Sequence, residues 1–186
     1  MFDYAAKFET GLSYPAFLQT YGTEDHRKRW QAMHEQISLT PPQQALIASF
    51  TREMKVFCLA GAWCGDCVNQ CPIFDHIASA NEKIRVRYFD RDANADLGEV
   101  LSICGAPRVP VLLFVSEDNF QVGWYGDRTL SKYRRMAADQ LGAACATGLG
   151  DDKSLRQAVV QDWVDEFERI HLILRTSGRL RKLHHD

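Results

Sequence analysis

The segment KVFCLAGAWCGDCVNQCP, residues 55–72, most constrains what the chain can fold into, because it holds four of the six cysteines. The stretch MKVFCLAG is typical of a short buried strand that stops at Gly61. The residues after it predict a helix from about Cys64 to Ala80. Cys64 and Cys67 then share one face of the first helical turn, at a separation that permits a disulfide.

Three kinds of site could use these cysteines: a metal site, structural disulfides or a redox pair. A metal site is disfavoured because ligands along one stripe of a helix cannot surround an ion, and C-x2-C-x3-C-P is only part of a ferredoxin motif. A structural disulfide across four residues would contribute only about 2 kcal/mol. We therefore predict a redox pair with no metal and no bound cofactor.

The helix start also suggests how such a pair would work. Unpaired N–H groups and the positive dipole end favour a thiolate at Cys64. Cys67 is placed to resolve a mixed disulfide between Cys64 and a substrate. Among the other thiols, Cys71, Cys104 and Cys145 are predicted to be small buried side chains, and an auxiliary redox role stays open for Cys71. Five histidines show no spacing from acids or cysteines that indicates ligands or a triad: His26, His34, His171, His184 and His185.

Composition limits which binding partners and which cellular compartment are expected. The 186-residue chain has a net charge of −2, so no general excess of Lys and Arg indicates nucleic-acid binding. No stretch approaches the roughly 20 apolar residues of a membrane span, and the N-terminus does not resemble a signal peptide. We predict a cytoplasmic protein that binds neither nucleic acid nor membrane; thiols are kept reduced in that compartment.

From residue 55 the predicted order is strand, helix, strand, helix, strand, strand, helix. Parallel crossovers followed by an antiparallel pair indicate a mixed sheet with helices on its faces. Thr40 is the expected N-cap of a helix that precedes the first strand. In the helix that follows the last strand, one stripe is predicted to hold Leu130, Tyr133, Ala137 and Leu141.

The chain ends in a long predicted helix after a break at Gly148–Gly150. Apolar residues recur in it every three or four positions from Leu155 to Leu174. This stripe must be buried against the body of the chain or against a partner chain, which leaves a homodimer through the helix open.

Several landmarks resemble the thioredoxin family. AWCGDC is similar to its active-site motif, with Asp66 where that family usually has proline. Pro72 matches a helix-kinking proline, and RVPVLLFV resembles the segment with the family's cis-proline, here Val109–Pro110. Gly126 matches a glycine beside the substrate groove.

The resemblance covers about residues 53–147. It implies an α/β, thioredoxin-like three-layer fold: a mixed four-stranded sheet with helices on both faces. Extra helices are expected at both ends. The expected organisation is a helical N-terminal extension over 1–52, the thioredoxin-like domain over 53–147 and a C-terminal helix over 151–186.

The resemblance also implies roles for individual residues. Cys64 would attack and Cys67 would resolve. The expected substrate-binding residues are Trp63, Gly65, Asp66, Val109, Pro110 and Gly126, with the Val109 backbone pairing an extended substrate segment.

Two positions depart from the family pattern. Cys58 stands where thioredoxins usually carry a buried acid, so that general base is missing. The charge of Asp66 opposes a nearby thiolate, and we expect it to favour a reductant over a strong oxidant.

The predicted function is thiol–disulfide oxidoreduction, with the CGDC pair reducing disulfides. Its partners would be oxidised protein or small-molecule disulfides, and a reductase or a low-molecular-weight thiol would supply electrons. The alternative is a non-enzymatic interaction or redox-sensing module of the same fold.

Overall fold

A computed structural model describes residues 2–141 and 152–186, without the side chains of 141 and 152–154. The predictions for Cys145 and for the break at Gly148–Gly150 fall outside these ranges. The helices and strands follow one another in this order: α1 Tyr4–Glu9, α2 Tyr14–Tyr21, α3 Glu24–His34, α4 Pro41–Ala48, β1 Met54–Ala60, α5 Gly65–Ala80, β2 Ile84–Asp90, α6 Ala95–Val100, β3 Val111–Ser116, β4 Gln121–Gly126, α7 Leu130–Leu141, α8 Asp152–Thr176 and α9 Gly178–His184.

The four strands form one mixed sheet in the order β2-β1-β3-β4. β1 pairs in parallel with β2 and antiparallel with β3, and β3 pairs antiparallel with β4. This confirms the predicted fold class. It also puts β1 inside the sheet, which explains why its sequence is apolar on both faces.

Alternation along β1 divides the core into two layers. Phe57 points to one face, where its ring centroid lies 5.1 Å from that of Phe8 in α1 and 5.3 Å from that of Phe89 in β2. Its neighbour Cys58 points to the other face and meets Cys71 of α5. Helices therefore cover both faces of the sheet.

The N-terminal helices are attached to the outer edge of β2 and to α5. Leu12 forms an antiparallel bridge with Tyr88, and Gly11 is required beside it because a Cβ there would lie 2.5 Å from the Phe89 ring. Thr40 caps α4 in a capping box with Gln43, as predicted.

The apolar stripe of α8 packs on the body of the chain. Phe167 meets Phe114 of β3 edge-to-face with ring centroids 5.2 Å apart, and Trp163 meets Tyr125 of β4 in the same way at 5.1 Å. The stripe is therefore covered within the chain. A homodimer would have to use other residues of the helix, such as the exposed Leu172. The division into 1–52, 53–147 and 151–186 remains a prediction.

In α7, Leu130 and Tyr133 of the predicted stripe are exposed, and the side chain of Leu141 lies outside the described residues. Ser131 is buried, and its N–H donates to Asp162 of α8 at 2.9 Å. One prediction was wrong. Cys104 is exposed rather than buried, since it lies with φ +52° in a tight turn after α6.

Candidate active site

The sheet topology brings three chain segments to one edge. β1 ends just before Cys64, and β3 begins just after Pro110. Because these strands are antiparallel, the end of one lies beside the start of the other, with Leu59 opposite Val111. Val111 in turn pairs with Gly126 at the end of β4. All three segments that carry predicted site residues therefore meet at this edge.

Cys64 is the N-cap residue of α5 and stands at the mouth of the site. Its N–H is bound by Gly61 O at 3.0 Å, its carbonyl accepts from Val68 N at 3.0 Å, and its side chain makes no cap hydrogen bond. The partly exposed sulfur thus lies at the positive end of the helix and is free to react. Its thiol points across the cleft to Val109 O, 3.6 Å away.

Cys67 lies behind Cys64 and is completely buried. Its sulfur accepts from Gly61 N at 3.4 Å. Burial opposes its ionisation, but hydrogen bonds from the thiols of Cys64 and Cys71 and from Gly61 outweigh burial and lower the pKa of Cys67 to about 5. The hydrogen bond with Cys67 and partial burial raise the pKa of Cys64.

The two thiols therefore titrate as a coupled pair. The sequence predicts that the start of α5 favours a thiolate at Cys64. The structure adds Cys67 as a second group that competes for the same charge, and the thiolate at Cys64 stays a prediction.

The opposite wall is formed by Val109 and Pro110, which are joined by a cis peptide bond. Gly126 supports this wall from behind rather than contacting the cysteines. A Cβ on Gly126 would lie 2.5 Å from Pro110 O, and its φ of +152° suits only glycine. Both features explain why a residue without a side chain is needed there.

Trp63 covers the entrance and is 45% exposed. Its ring lies against the backbone of Gly61, where a Cβ would be only 2.7 Å from the indole. The guanidinium of Arg91 lies 4.6 Å from the ring centroid, a cation–π contact that holds the ring in place. Gly65 borders open space on the same side, with nothing within 4 Å of its would-be Cβ.

Asp66 faces a basic residue that the sequence did not suggest. Its Oδ2 lies 2.5 Å from Nη2 of Arg128, and Nη1 of the same side chain lies 3.1 Å from the buried carboxylate of Asp127. Arg108 reaches Asp127 as well, at 3.4 Å. The charge of Asp66 is thus partly neutralised. No sequence pattern links Asp66 to a residue so far along the chain.

Both helical extensions hold the site in place, which the sequence also did not indicate. Trp30 of α3 is buried and donates from Nε1 to Ala62 O at 2.8 Å, next to Trp63. Trp163 of α8 donates to Gln70 Oε1 at 2.9 Å. Gln70 in turn donates to Asp127 O at 3.0 Å, which joins α5 to the loop after β4.

Among residues 2–141 and 152–186, no group of three or more His, Cys, Asp or Glu could hold a metal ion. Nor is any helix in that part of the chain long and apolar enough to cross a membrane.

A mixed four-stranded sheet with a C-x-x-C pair where β1 meets α5 is the arrangement of a thioredoxin-like protein. Comparisons with known proteins agree. The model of a thioredoxin family, Thioredoxin_9, matches residues 11–139. The chain belongs to this thioredoxin family.

Similar folds occur in solved structures. A protein of unknown function from Pseudomonas aeruginosa matches with a TM-score of 0.67 and 16% identity, over 89% of this chain and 99% of that one. An HIV epitope-scaffold matches with a TM-score of 0.63 and 16% identity, over 87% of this chain and 98% of that one. At this identity the likeness concerns the fold alone.

A sequence relative is the protein disulfide-isomerase erp38 of Neurospora crassa, 29% identical over 84 residues. The match covers 43% of this chain but only 22% of that protein. The chain therefore corresponds to a small part of that relative.

Proposed function

We propose that the protein is a thiol–disulfide oxidoreductase that reduces disulfides through Cys64 and Cys67. The observation that carries the proposal is the placement of the two sulfurs. Cys64 is accessible at the positive end of α5, and Cys67 lies completely buried one helical turn further along α5. The family and the disulfide-isomerase relative support the same class of chemistry.

The reaction begins when a substrate disulfide approaches Cys64. Cys67 cannot reach it, so a proton passes from Cys64 to Cys67 and leaves the thiolate on Cys64. Cys64 attacks one substrate sulfur, and the other leaves as a thiolate. Cys67 then gives its proton to that leaving thiolate, attacks Cys64, expels the second substrate sulfur as a thiolate and closes the Cys64–Cys67 disulfide.

The remaining groups bind substrate or position the thiols. Trp63 and Gly65 offer an apolar and open approach, while Val109 and Pro110 form the facing wall. An extended substrate segment would lie along Val109. Gly126 keeps that wall close, and Asp66 with Arg128 sets the charge at the rim. The substrates would be oxidised protein or small-molecule disulfides in the cytoplasm, with electrons from a reductase or a low-molecular-weight thiol.

The test is the reduction of an insulin disulfide by dithiothreitol with wild type, Cys64→Ser, Cys67→Ser and Cys104→Ala as the matched control. Cys104 is an exposed thiol outside the site. Loss of turnover with Cys64→Ser, mixed disulfides trapped by Cys67→Ser and full activity of Cys104→Ala would support the proposal. Wild-type turnover no faster than dithiothreitol alone would contradict it.

A redox-sensing module is the second candidate, and one observation favours it. Trp30 and Trp163 connect both helical extensions to the loop and helix that carry the thiols. Oxidation of the pair could then alter the extensions without turnover. A sensor would form the Cys64–Cys67 disulfide in the insulin experiment but show no catalytic cycle.

A further inference from the structure

Two more thiols lie directly behind the pair. Cys58 on β1 and Cys71 on α5 are both completely buried, and their sulfurs are 3.9 Å apart. Along α5, Cys67 lies one helical turn after Cys64, and Cys71 lies one turn after Cys67. This spacing and the contact between Cys71 and Cys58 place the four thiols in a row that leads from the surface at Cys64 to the core at Cys58.

We propose that Cys58 and Cys71 form a second dithiol–disulfide couple, which is loaded from the Cys64–Cys67 disulfide through Cys67. This inference rests on the proposed function, because it needs the first disulfide to form. With both couples in use, one chain can deliver four electrons to two substrate disulfides before it must be reduced again.

The transfer consists of two thiol–disulfide exchanges. The Cys71 thiolate attacks Cys67, the bond between Cys64 and Cys67 breaks, and Cys64 leaves as a thiolate and takes up the proton that Cys71 gave up. Cys58 then loses its proton and attacks Cys71. Cys67 leaves and takes up that proton. No electron leaves the row; the disulfide has moved inward, and Cys64 and Cys67 are again a dithiol.

The intermediate between Cys67 and Cys71 should be short-lived. These residues are one helical turn apart, which separates their Cβ atoms by about 5–6 Å. An unstrained disulfide needs about 3.8 Å, so this bond is strained and exchanges readily. Pro72 eases its formation, because it cannot donate the usual backbone hydrogen bond to Val68 O in that turn.

Formation of the second disulfide requires only a short movement. The sulfurs of Cys58 and Cys71 must approach by about 2 Å to bond. One lies on an inner strand and the other on the helix packed over it, so a small shift of α5 suffices. Tyr88 already holds that turn of the helix toward the sheet, since its hydroxyl donates to Cys71 O at 3.2 Å.

Because Cys58 and Cys71 are buried, their oxidation should be slow and should depend on exchange with Cys67. Burial raises the pKa of both Cys58 and Cys71, so little thiolate is present at either. The negative charge on Cys67 also raises the pKa of Cys71, and oxidation of the first pair removes that charge. Because neither inner sulfur is exposed, an external disulfide can oxidise them only through Cys67.

The experiment oxidises the protein anaerobically with excess oxidised glutathione, alkylates the remaining thiols in denaturant and maps the linked peptides by mass spectrometry. Wild type should form Cys64–Cys67 quickly and a peptide pair containing Cys58–Cys71 more slowly. It should release about two more molecules of reduced glutathione per chain than Cys58→Ala, which can form only one stable couple. Cys104→Ala sets the background for mixed disulfides at the exposed thiol.

The variant Cys67→Ser tests whether oxidation reaches the inner thiols through Cys67. In this variant Cys58 and Cys71 should stay reduced. A Cys58–Cys71 disulfide formed without Cys67 would overturn the transfer. Oxidation of only Cys64 and Cys67 in wild type would overturn the second couple and leave the proposed function standing. Failure to oxidise even Cys64 and Cys67 would overturn both. The existence of the second couple is decided by the mapping on wild type, so that result does not depend on how well a core variant folds.

Discussion

Asp66 and Arg128 form an ion pair at the rim of the active site, with Oδ2 and Nη2 2.5 Å apart. The carboxylate opposes a thiolate nearby and the guanidinium favours one, so their contact sets much of the local field. The sequence drew attention only to the carboxylate. The structure shows that both signs of charge are present.

The Cys64/Cys67 pair titrates with two pKa values, and Asp66→Asn is expected to reduce the smaller one. The variant removes a negative charge and leaves Arg128 less neutralised, so a fall of about half a unit to one unit is expected for a partly solvated charge. The measurement is thiolate absorbance or the rate of alkylation by iodoacetamide as a function of pH.

Arg128→Gln is the matched variant and should raise the same pKa, because Asp66 then acts unopposed. The Asp66→Asn expectation fails if its titration curve overlays that of wild type or moves to higher pH. Equal shifts in both variants would mean that loop distortion, and not charge, controls the pair.

Alanine substitutions at two glycines of the site, Gly126 and Gly65, can be compared for their effect on stability. Gly126→Ala should destabilise the fold by roughly 2–3 kcal/mol, because its backbone is strained for alanine and the new Cβ would meet Pro110 O at 2.5 Å. Moving Pro110 should also slow disulfide reduction. Urea unfolding and the insulin assay measure the two effects.

Gly65→Ala is the control, since nothing lies within 4 Å of its would-be Cβ and the position is helical. It should keep or raise the stability by up to about 1 kcal/mol. Equal stabilities for the two alanine variants would disprove the close approach of Gly126 to Pro110.

The links from the extensions to the site can be tested at Trp30. Trp30→Phe keeps an aromatic ring but leaves Ala62 O without its buried donor, which should cost about 1–3 kcal/mol. The Cys64 loop should also loosen and turnover should fall. Trp124→Phe, at a residue 44% exposed, should change neither quantity appreciably.

If Trp30→Phe unfolds at the same urea concentration as Trp124→Phe, the hydrogen bond to Ala62 does not support the site. If stability falls while turnover is unchanged, the N-terminal helices stabilise the fold without positioning Cys64.

The sheet and α5 could be predicted from the sequence because their signals are local. An apolar run ending at Gly61 and a C-x-x-C pair at a helix start fix β1 and α5 to within a residue of the observed ends. The resemblance to thioredoxins added three residues to the predicted site: Val109, Pro110 and Gly126. No local sequence pattern connects them to the cysteines.

Side-chain partners far apart in sequence could not be predicted. His34 showed no spacing that suggested a partner, yet it pairs with Asp75 at 2.9 Å, because α3 packs across α5. Arg128 and Trp163 likewise reach the site because elements far apart in sequence pack together. In α7, Leu130 and Tyr133 are exposed, and the first turn is bound by Asp162 on another helix. Each contact depends on how elements pack, which helical periodicity does not encode.

His171 gives a prediction for stability against pH. Its ring stacks on Phe50 with centroids 4.2 Å apart, and its Nε2 accepts from Thr51 N at 3.0 Å, which requires the neutral imidazole. Burial and then the charges of Arg175 and Arg52 lower its pKa. The unfolded chain therefore binds the proton more readily than the folded protein below about pH 6.5, the ordinary histidine value.

The stabilisation from neutral His171 should be fully present above about pH 6.5 and should be lost as the pH falls through its lowered folded value. His171→Gln retains an acceptor for Thr51 but does not titrate, so its free energy of unfolding should fall less steeply over that range. Urea unfolding at closely spaced pH values gives the two slopes, and their difference should be positive but less than one proton per chain. Parallel slopes would mean that His171 is not held neutral by the fold.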